Sequence, residues 1–213
     1  MLQGFFRTGP GQYGEGDVFI GVRVPEVRAV CRECRDAPLA AVLALLESRI
    51  HEERLLALLL LVHAFERGDD TTRRRIFDAY LAHTAFINNW DLVDLSAYAI
   101  VGGYLASRSR APLARLARSH SLWERRIAIV STFHFIRRGD LAETLRIADL
   151  LLNDPHDLIH KAVGWMLREA GKRDGAALRT FLDARHQRMP RTMLRYAIER
   201  FDEPERQRYL KLG

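Results

Sequence analysis

The sequence predicts an all-α protein, an α-solenoid in which antiparallel helix pairs stack one on the next. Amphipathic segments recur along the chain at spacings of 38, 33, 36 and 32 residues, and further helical segments lie between them. A period of about 20–50 residues indicates a repeat array. No stretch shows the sustained two-residue alternation with β-branched side chains that a sheet requires. This organisation is typical of HEAT-like and armadillo-type α-solenoids.

The first 24 residues differ in kind from the rest of the chain. Helix-breaking residues occur there at Gly9, Pro10, Gly11, Gly14 and Gly16. Because glycine and proline interrupt regular structure most strongly, we predict a loop-rich N-terminal segment over residues 1–24 that carries a few aromatic side chains. From Pro25 onward the pattern predicts helix after helix.

The repeated helices are predicted from the points at which apolar periodicity begins. They start near His51, Asn89, Leu122, Leu158 and Pro190, and their partners include residues 72–83, 112–119 and 141–153. One helix pair cannot bury its own apolar face, so stacking on neighbours supplies the core and bends the array into a concave surface. Such a surface suits a long, rod-like ligand. A length of 213 residues fits a single domain, residues 1–213.

Composition and charge narrow the class of partner. The chain carries a formal net charge of +6, and a positive field favours polyanions, of which nucleic acid is the commonest. An apolar fraction of 48% fits a folded globular protein rather than a disordered chain. The longest apolar run, residues 55–62, is too short to span a membrane. No signal peptide is evident, so we expect a cytoplasmic protein.

Cations recur early in the repeated helices and predict a basic concave DNA-binding surface. The recurring residues are Arg54, Arg126, Lys161 and Arg195, and Arg125 adjoins the second of them. If these helices line the concave face, the cations form a row that can follow the phosphate backbone of a duplex. The alternative is that each is a solvated helix residue paired with a nearby glutamate, as Arg54 would be with Glu52 or Glu53.

The segment NNWDLVD, residues 88–94, is the most informative stretch. Either asparagine is a suitable N-cap, so a helix should begin next to it. Trp90 and Asp94 are four residues apart and would share one helix face. Asp91 would either join that face or interact with the helix dipole in the first turn. The alternative for Trp90 is a core anchor, the usual place of a tryptophan at a helix start.

Two further tryptophans fall in later repeats. Trp123 precedes a Glu-Arg-Arg run, and Trp165 directly follows Gly164. A glycine inside a helix indicates a close backbone approach, either of a neighbouring helix or of a ligand. Each tryptophan could equally belong to the core.

No metal or cofactor site is predicted. Cys31 and Cys34 have CxxC spacing, but a structural zinc needs four ligands and no second pair follows. The βαβ context of a thioredoxin-type motif is also absent, so we expect two reduced thiols about one helical turn apart. The histidines and hydroxyls suggest no nucleophile–base set, and His160 is expected to be structural or to contact phosphate.

Several motifs occur in a characteristic order along nearly the whole chain. FFRTGPGQYGEGD at residues 5–17 continues into FIGVRVPEVR at 19–28, and NWDLVD, LWERR and HKAVGWMLRE follow at 89–94, 122–126 and 160–169. Together they resemble the AlkD-like DNA alkylation repair family. The resemblance implies a HEAT-like solenoid that excises positively charged N3- and N7-alkylpurines from double-stranded DNA.

The resemblance assigns roles to individual residues. The family's catalytic aspartate falls on Asp94 and its neighbouring tryptophan on Trp90. An active-site arginine falls on Arg126, and the second active-site tryptophan falls on Trp165. One departure concerns the N-terminus, where the family usually has a full helix before the Phe-Phe-rich loop and this chain begins almost at that loop.

The implied chemistry fits these residue types. A purine alkylated at N3 or N7 is cationic and leaves readily, so catalysis needs only stabilisation of an oxocarbenium-like sugar and a directed water. Asp94 could supply both electrostatically. Trp90 and Trp165 could contact the cationic nucleotide through their π faces, and Arg126 could bind a backbone phosphate. The resemblance further implies contact with the backbone and sugar of the lesion, without the enclosing pocket of most base-flipping enzymes.

The favoured hypothesis is a monofunctional alkylpurine DNA glycosylase that uses neither metal nor cofactor. The alternative is a non-catalytic HEAT-like protein that binds damaged or branched DNA. A protein-binding scaffold of the same fold is a third hypothesis, but it would require neither the basic row nor the Trp–Asp pair. A monomer is expected, because an open groove must admit a duplex.

Overall fold

The computed structural model describes residues 2–211. Helices dominate this range, and its β-structure is limited to one isolated parallel bridge between Val18 and Ile50. The all-α prediction is therefore confirmed. The chain divides into two compact units, Met1–Tyr104 and Leu105–Gly213, which are described in turn. The single domain predicted for residues 1–213 stays a prediction.

The first unit begins with a short helix and a long irregular segment. After α1 (Leu2–Phe5) the chain runs through turns and bends until α2 begins at Val24. The backbone carbonyl of Val18, in the later part of this segment, accepts a hydrogen bond from the backbone N–H of His51 at 2.8 Å. This bond attaches the segment to the helices. The side chain of Glu52 then accepts the N–H groups of Ile20 at 3.1 Å and Gly21 at 2.9 Å.

One long helix organises the first unit. The helices in this part are α2 (Val24–Glu33), α3 (Leu39–Leu46), α4 (His51–Arg67), α5 (Asp70–Ala82) and α6 (Trp90–Ala97). The sequence of α4 is apolar on most sides, as expected of a helix surrounded by others, and it packs against the other four helices. Leu58 and Leu61 in its middle are almost completely buried.

Polar side chains fix the start of α5 and the position of α6. Asp69 caps α5 by accepting the N–H of Thr72 at 2.8 Å. Tyr80 of α5 shares a buried hydrogen bond of 2.9 Å with Ser96 of α6. Beyond α6 the helix widens into a π-helical turn, Tyr98–Gly102, and ends as α7 (Gly103–Leu105).

The second unit is a further series of packed helices. They are α8 (Ala111–Ala117), α9 (Leu122–Ser131), α10 (Phe133–Ile136), α11 (Ala142–Leu150), α12 (Asp157–Gly171), α13 (Gly175–Arg185), α14 (Arg191–Ala197) and α15 (Glu203–Lys211). Within this unit α12 is central and contacts α9, α11, α13 and α14. The starts predicted near Leu122, Leu158 and Pro190 each fall within one residue of an observed helix start.

Gly164 allows two helices of the second unit to approach closely. A Cβ atom at this position would lie 2.5 Å from the carbonyl oxygen of Met193 and 2.5 Å from Cβ of Tyr196. The backbone of α14 therefore occupies the space that a side chain on α12 would need. The sequence left open whether a neighbouring helix or a ligand approaches Gly164, and the structure shows a neighbouring helix.

The two cysteines are free thiols. Cys31 lies within α2 and Cys34 directly follows its last residue. Burial raises the pKa of the Cys31 thiol despite two nearby arginines, which lowers its nucleophilicity at neutral pH. Within the described residues, no group of three or more histidine, cysteine or acidic side chains could hold a metal ion. No helix between residues 2 and 211 is long and apolar enough to cross a membrane.

Candidate active site and DNA-contact residues

An open cavity of about 590 Å³ lies in the first unit. Its walls come from the N-terminal segment, α2, α4 and α6. Aromatic rings and carboxylates line it together: Phe5, Phe6, Phe19, Trp90, Glu52, Asp91 and Asp94. Arg23 and Arg28 also line the cavity, so it combines aromatic faces and carboxylates, which attract cations, with two positive charges.

Trp90 and Asp94 line this cavity from one face of α6. Asn89 supplies the N-cap, as predicted, by accepting the N–H of Trp90 at 2.9 Å. Trp90 is half-buried rather than a fully enclosed core anchor. Its ring stacks on Phe6 with centroids 5.5 Å apart and meets the exposed Phe5 edge-on at 6.0 Å.

A buried histidine adjoins this pair. His51, at the start of α4, is only 1% exposed. Its Nε2 lies 2.8 Å from Oδ2 of Asp91, and its Nδ1 lies 3.1 Å from Oδ2 of Asp17. Asp91, which the sequence left with two alternatives, thus lines the cavity and also binds His51 from the first turn of α6.

Asp17 is the centre of a buried polar network. Besides His51, its carboxylate accepts hydrogen bonds from Arg54 at 2.5 Å, Asn89 at 3.1 Å and Asn88 at 3.3 Å. A buried carboxylate is costly unless it is paired and hydrogen-bonded. These four donors meet that requirement and connect the N-terminal segment to α4 and to the start of α6.

The network favours the charged forms of its members. Burial alone would lower the pKa of His51, but the hydrogen bonds to Asp17 and Asp91 and their negative charges raise it overall. Burial alone would raise the pKa of Asp17, but the hydrogen bond from His51 and the charge of Arg54 lower it overall. The favoured arrangement is an imidazolium whose two N–H groups donate to two carboxylates.

Arg54 does not stand in an exposed basic row. The residue is 3% exposed, and its side chain donates to Asp17 and to the backbone carbonyl of Ser48. It also does not pair with either glutamate considered from the sequence, because Glu52 caps the N-terminal segment and Glu53 accepts from the Ser48 hydroxyl. The predicted surface position of Arg54 is corrected by the long-range pairing with Asp17, which buries it.

The adjacent arginines of the second unit, Arg125 and Arg126, also find hydrogen-bond partners within the protein. Arg126 is 5% exposed, and its Nη1 donates to the carbonyl of Leu158 at 2.5 Å. This burial corrects the exposed position predicted for Arg126. Arg125 is partly exposed and contacts Asp154 at 2.6 Å. A phosphate contact by either arginine stays a prediction.

The other predicted contacts of the second unit reach solvent to different degrees. Lys161 is 42% exposed and pairs with Asp157 at 2.8 Å, while Arg195 is exposed on α14. Trp165 is half-buried on α12, with its ring 6.0 Å from that of Phe133. Trp123, in contrast, is part of the core.

His160 has a structural contact in the second unit. Its Nε2 lies 2.5 Å from the backbone carbonyl of Asp154, which fixes the loop before α12. Asp154 holds the same loop by accepting the N–H of His156 at 2.9 Å. Of the two alternatives for His160, the structure supports the structural one.

Asp17 and His51 are site residues that the sequence analysis does not identify. The only signals are their positions, Asp17 at the end of the glycine-rich segment and His51 at a predicted helix start. The carboxylate and the imidazole come from segments 34 residues apart, so their contact depends on how the N-terminal segment docks.

Helical repeats together with a tryptophan–aspartate pair in an open, aromatic-lined cavity define the class, a helical-repeat protein with a candidate binding site. The chain belongs to the DNA alkylation repair enzyme family, whose model matches residues 2–201. This confirms the resemblance noted from the sequence motifs. No curated protein matches the chain.

The fold is shared with a solved structure. It is similar to a predicted DNA alkylation repair enzyme from Enterococcus faecalis with a TM-score of 0.72 over 95% of this chain and 93% of that chain. The two sequences are 16% identical. This likeness therefore confirms the predicted α-solenoid class, and the family membership supports a role in repair of DNA alkylation damage.

Proposed function

We propose that this protein is an alkylpurine DNA glycosylase, which hydrolyses the N-glycosidic bond of cationic N3- and N7-alkylated purines in duplex DNA. The observation that carries the proposal is the pair formed by Trp90 and Asp94, which line one aromatic cavity from the same face of α6. Membership of the DNA alkylation repair family supports alkylated DNA as the substrate.

Asp94 is the proposed catalytic carboxylate. As the bond between C1′ and the purine nitrogen breaks, its electron pair goes to the base, whose positive charge is neutralised, and positive charge develops on the sugar. A carboxylate beside the sugar stabilises that charge. Water then bonds to C1′, and its proton passes to Asp94 or to solvent, which completes hydrolysis without acid catalysis at the base.

Trp90 is proposed to hold the cationic nucleotide beside this carboxylate. A cation over an indole ring gains about 0.5–2 kcal/mol, depending on how far water is excluded. The stack on Phe6 and the edge contact with Phe5 restrict the Trp90 ring. Less entropy is therefore lost when the ring binds, because its orientation is largely set beforehand.

We propose that the second unit contributes contacts to the DNA. Arg195 and Lys161 reach solvent and would bind phosphates, and Arg125 is partly exposed and would add a further phosphate contact. Trp165, also partly exposed, would contact the cationic nucleotide through its π face. Arg126 donates to the backbone carbonyl of Leu158 and so holds the first turn of α12. It would therefore act from beneath the residues that contact DNA. The protein is expected to act as a cytoplasmic monomer without metal or cofactor.

The experiment is a base-release assay. The protein is incubated with a methylated duplex, and free N7-methylguanine and N3-methyladenine are quantified by mass spectrometry. Release above the spontaneous rate is expected for the methylated duplex, and none for an unmethylated duplex of the same sequence. Folded protein that binds the duplex but releases neither base would contradict the proposal. That outcome would favour the second candidate, a non-catalytic protein that binds damaged or branched DNA.

A further inference from the structure

We infer that Asp17 and His51 form a positioning pair, which fixes the first turn of α6 so that Trp90 and Asp94 face the cavity. Neither side chain is assigned a contact with DNA. The inference deepens the proposed glycosylase function and rests on it.

The pair holds the backbone on both sides of Trp90. Asn89, the preceding residue, donates to Asp17 at 3.1 Å while its own oxygen caps the helix. Asp91, the following residue, accepts from His51 at 2.8 Å. Trp90 therefore lies between two residues that are hydrogen-bonded to the buried pair of Asp17 and His51.

The aromatic rings orient His51 and Trp90 together. Phe19 stacks on the imidazole with ring centroids 4.4 Å apart. Phe6 lies 5.1 Å from the imidazole and 5.5 Å from the Trp90 ring. Because both ring nitrogens of His51 are bound and its ring is enclosed, a change of its rotamer would break contacts with the N-terminal segment and with α6.

The protonation state of His51 determines whether both contacts can form. An imidazolium donates through both nitrogens, whereas a neutral imidazole donates through only one. When His51 loses its proton, the hydrogen bond to Asp17 or the one to Asp91 is therefore lost. The positioning of α6 becomes pH-dependent for this geometrical reason.

Charged groups from each neighbouring element surround this histidine. Asp17 and Arg23 come from the N-terminal segment, Arg28 from α2, Arg54 and Glu52 from α4, and Asp91 and Asp94 from α6. Protonated His51 and Arg54 balance Asp17 and Asp91. Loss of the His51 proton leaves one uncompensated negative charge in a buried place, which the surrounding structure must relax to accommodate.

The test is single-turnover excision of N7-methylguanine as a function of pH, with DNA affinity measured separately. His51→Gln is expected to lower the excision rate by up to about 100-fold, a loss that misplacement of reactive groups by about 1 Å can cause, while affinity changes little. His186→Gln is the matched control, since His186 is a buried histidine of the second unit and should leave the rate unchanged.

Asp91→Asn separates positioning from general stability. Asparagine keeps an acceptor for His51 but removes one of the two carboxylate charges that raise the pKa of His51, the other being that of Asp17. The fall in rate at high pH should therefore begin at a lower pH in this variant than in the wild type. An unchanged pH profile would overturn the inference, even if His51→Gln failed to fold.

A second readout does not depend on excision. The indole N–H signal of Trp90 in NMR spectra should shift in His51→Gln and should not shift in His186→Gln. If the wild type released no base, the glycosylase proposal would fail, while this signal would still test the positioning pair. A Trp90 signal unaffected by either His51→Gln or Asp17→Asn would overturn the inference.

Discussion

Nε2 of His51 lies 2.8 Å from Oδ2 of Asp91, and this contact joins the start of α4 to the first turn of α6. Asp91 immediately follows Trp90, so the contact links a buried titratable group to the candidate active site. Asp17 binds the other nitrogen of the same ring. One ionisable cluster therefore affects both the stability of the first unit and the geometry of its cavity.

Stability should depend on pH in a way that follows from this cluster. The pKa of His51 is raised above its ordinary value of 6.5, so its stabilising contribution is complete below that value and is lost as pH rises through the folded-state pKa. The pKa of Asp17 is lowered below 3.8, so its contribution is present above that value and is lost as pH falls. The free energy of unfolding should be greatest between these limits.

Urea unfolding at a series of pH values measures this profile. In His51→Gln the loss of stability on the alkaline side should become shallower. The loss on the acid side should also diminish, because Asp17 then lacks the hydrogen bond and the charge of His51 that help to lower its pKa. A wild-type stability that increases as pH rises beyond the ordinary pKa of histidine would contradict the account.

Arg54 should contribute to the stability of the fold and not to DNA binding. Its ion pair with Asp17 is buried on both sides, and removal of one partner from a buried pair costs about 3–5 kcal/mol. Arg54→Met should therefore lower the free energy of unfolding by roughly this amount. Lys161→Met is the control, because its pair with Asp157 is exposed and such pairs contribute little. Equal losses in the two variants would disprove this assignment.

Arg195 should contribute to DNA affinity through phosphate. It is exposed on α14, so its removal should not affect folding. Arg195→Gln should weaken binding to all duplexes alike and reduce the slope of log affinity against log salt concentration by about 0.9. Titrations at several salt concentrations, with methylated and unmethylated duplexes, measure this slope. A variant that retained the wild-type slope would show that Arg195 makes no phosphate contact.

Gly164→Ala should destabilise the second unit. Its new methyl group would lie 2.5 Å from backbone and Cβ atoms of α14, and overpacking of this kind costs about 1–3 kcal/mol. Gly175→Ala is the matched control, because its nearest contact is the end of the flexible Arg179 side chain at 3.0 Å. Thermal unfolding of both variants makes the comparison. A Gly164→Ala protein as stable as the wild type would show that α14 can move away from α12.

Much of the fold could be predicted from the sequence, because helix boundaries depend on local chemistry. The apolar periodicity placed the starts of α4, α6, α9, α12 and α14. The Asn89 cap and the shared face of Trp90 and Asp94 follow from spacing alone. These features need no knowledge of how distant segments meet.

The remainder of the site could not be predicted, because it depends on long-range docking. Arg54 has glutamates next to it in sequence, yet it pairs with Asp17, which is 37 residues away. His51 gave no sign of binding two carboxylates, since each comes from a different segment. The positions of Arg54 and Arg126 along their helices predicted exposed side chains, but both are buried. Helical spacing identifies which residues share a face, but not which other segments cover that face.

The central claim is that Asp94 is the catalytic carboxylate of a glycosylase. The most direct measurement compares wild type and Asp94→Asn for single-turnover release of N7-methylguanine and N3-methyladenine from methylated duplex DNA, with affinity measured on the same duplex. Loss of electrostatic stabilisation predicts a rate about 100- to 1000-fold lower in Asp94→Asn, with binding largely intact. Wild-type rates in the variant, or a loss of binding that accounts for the whole loss of activity, would contradict the claim.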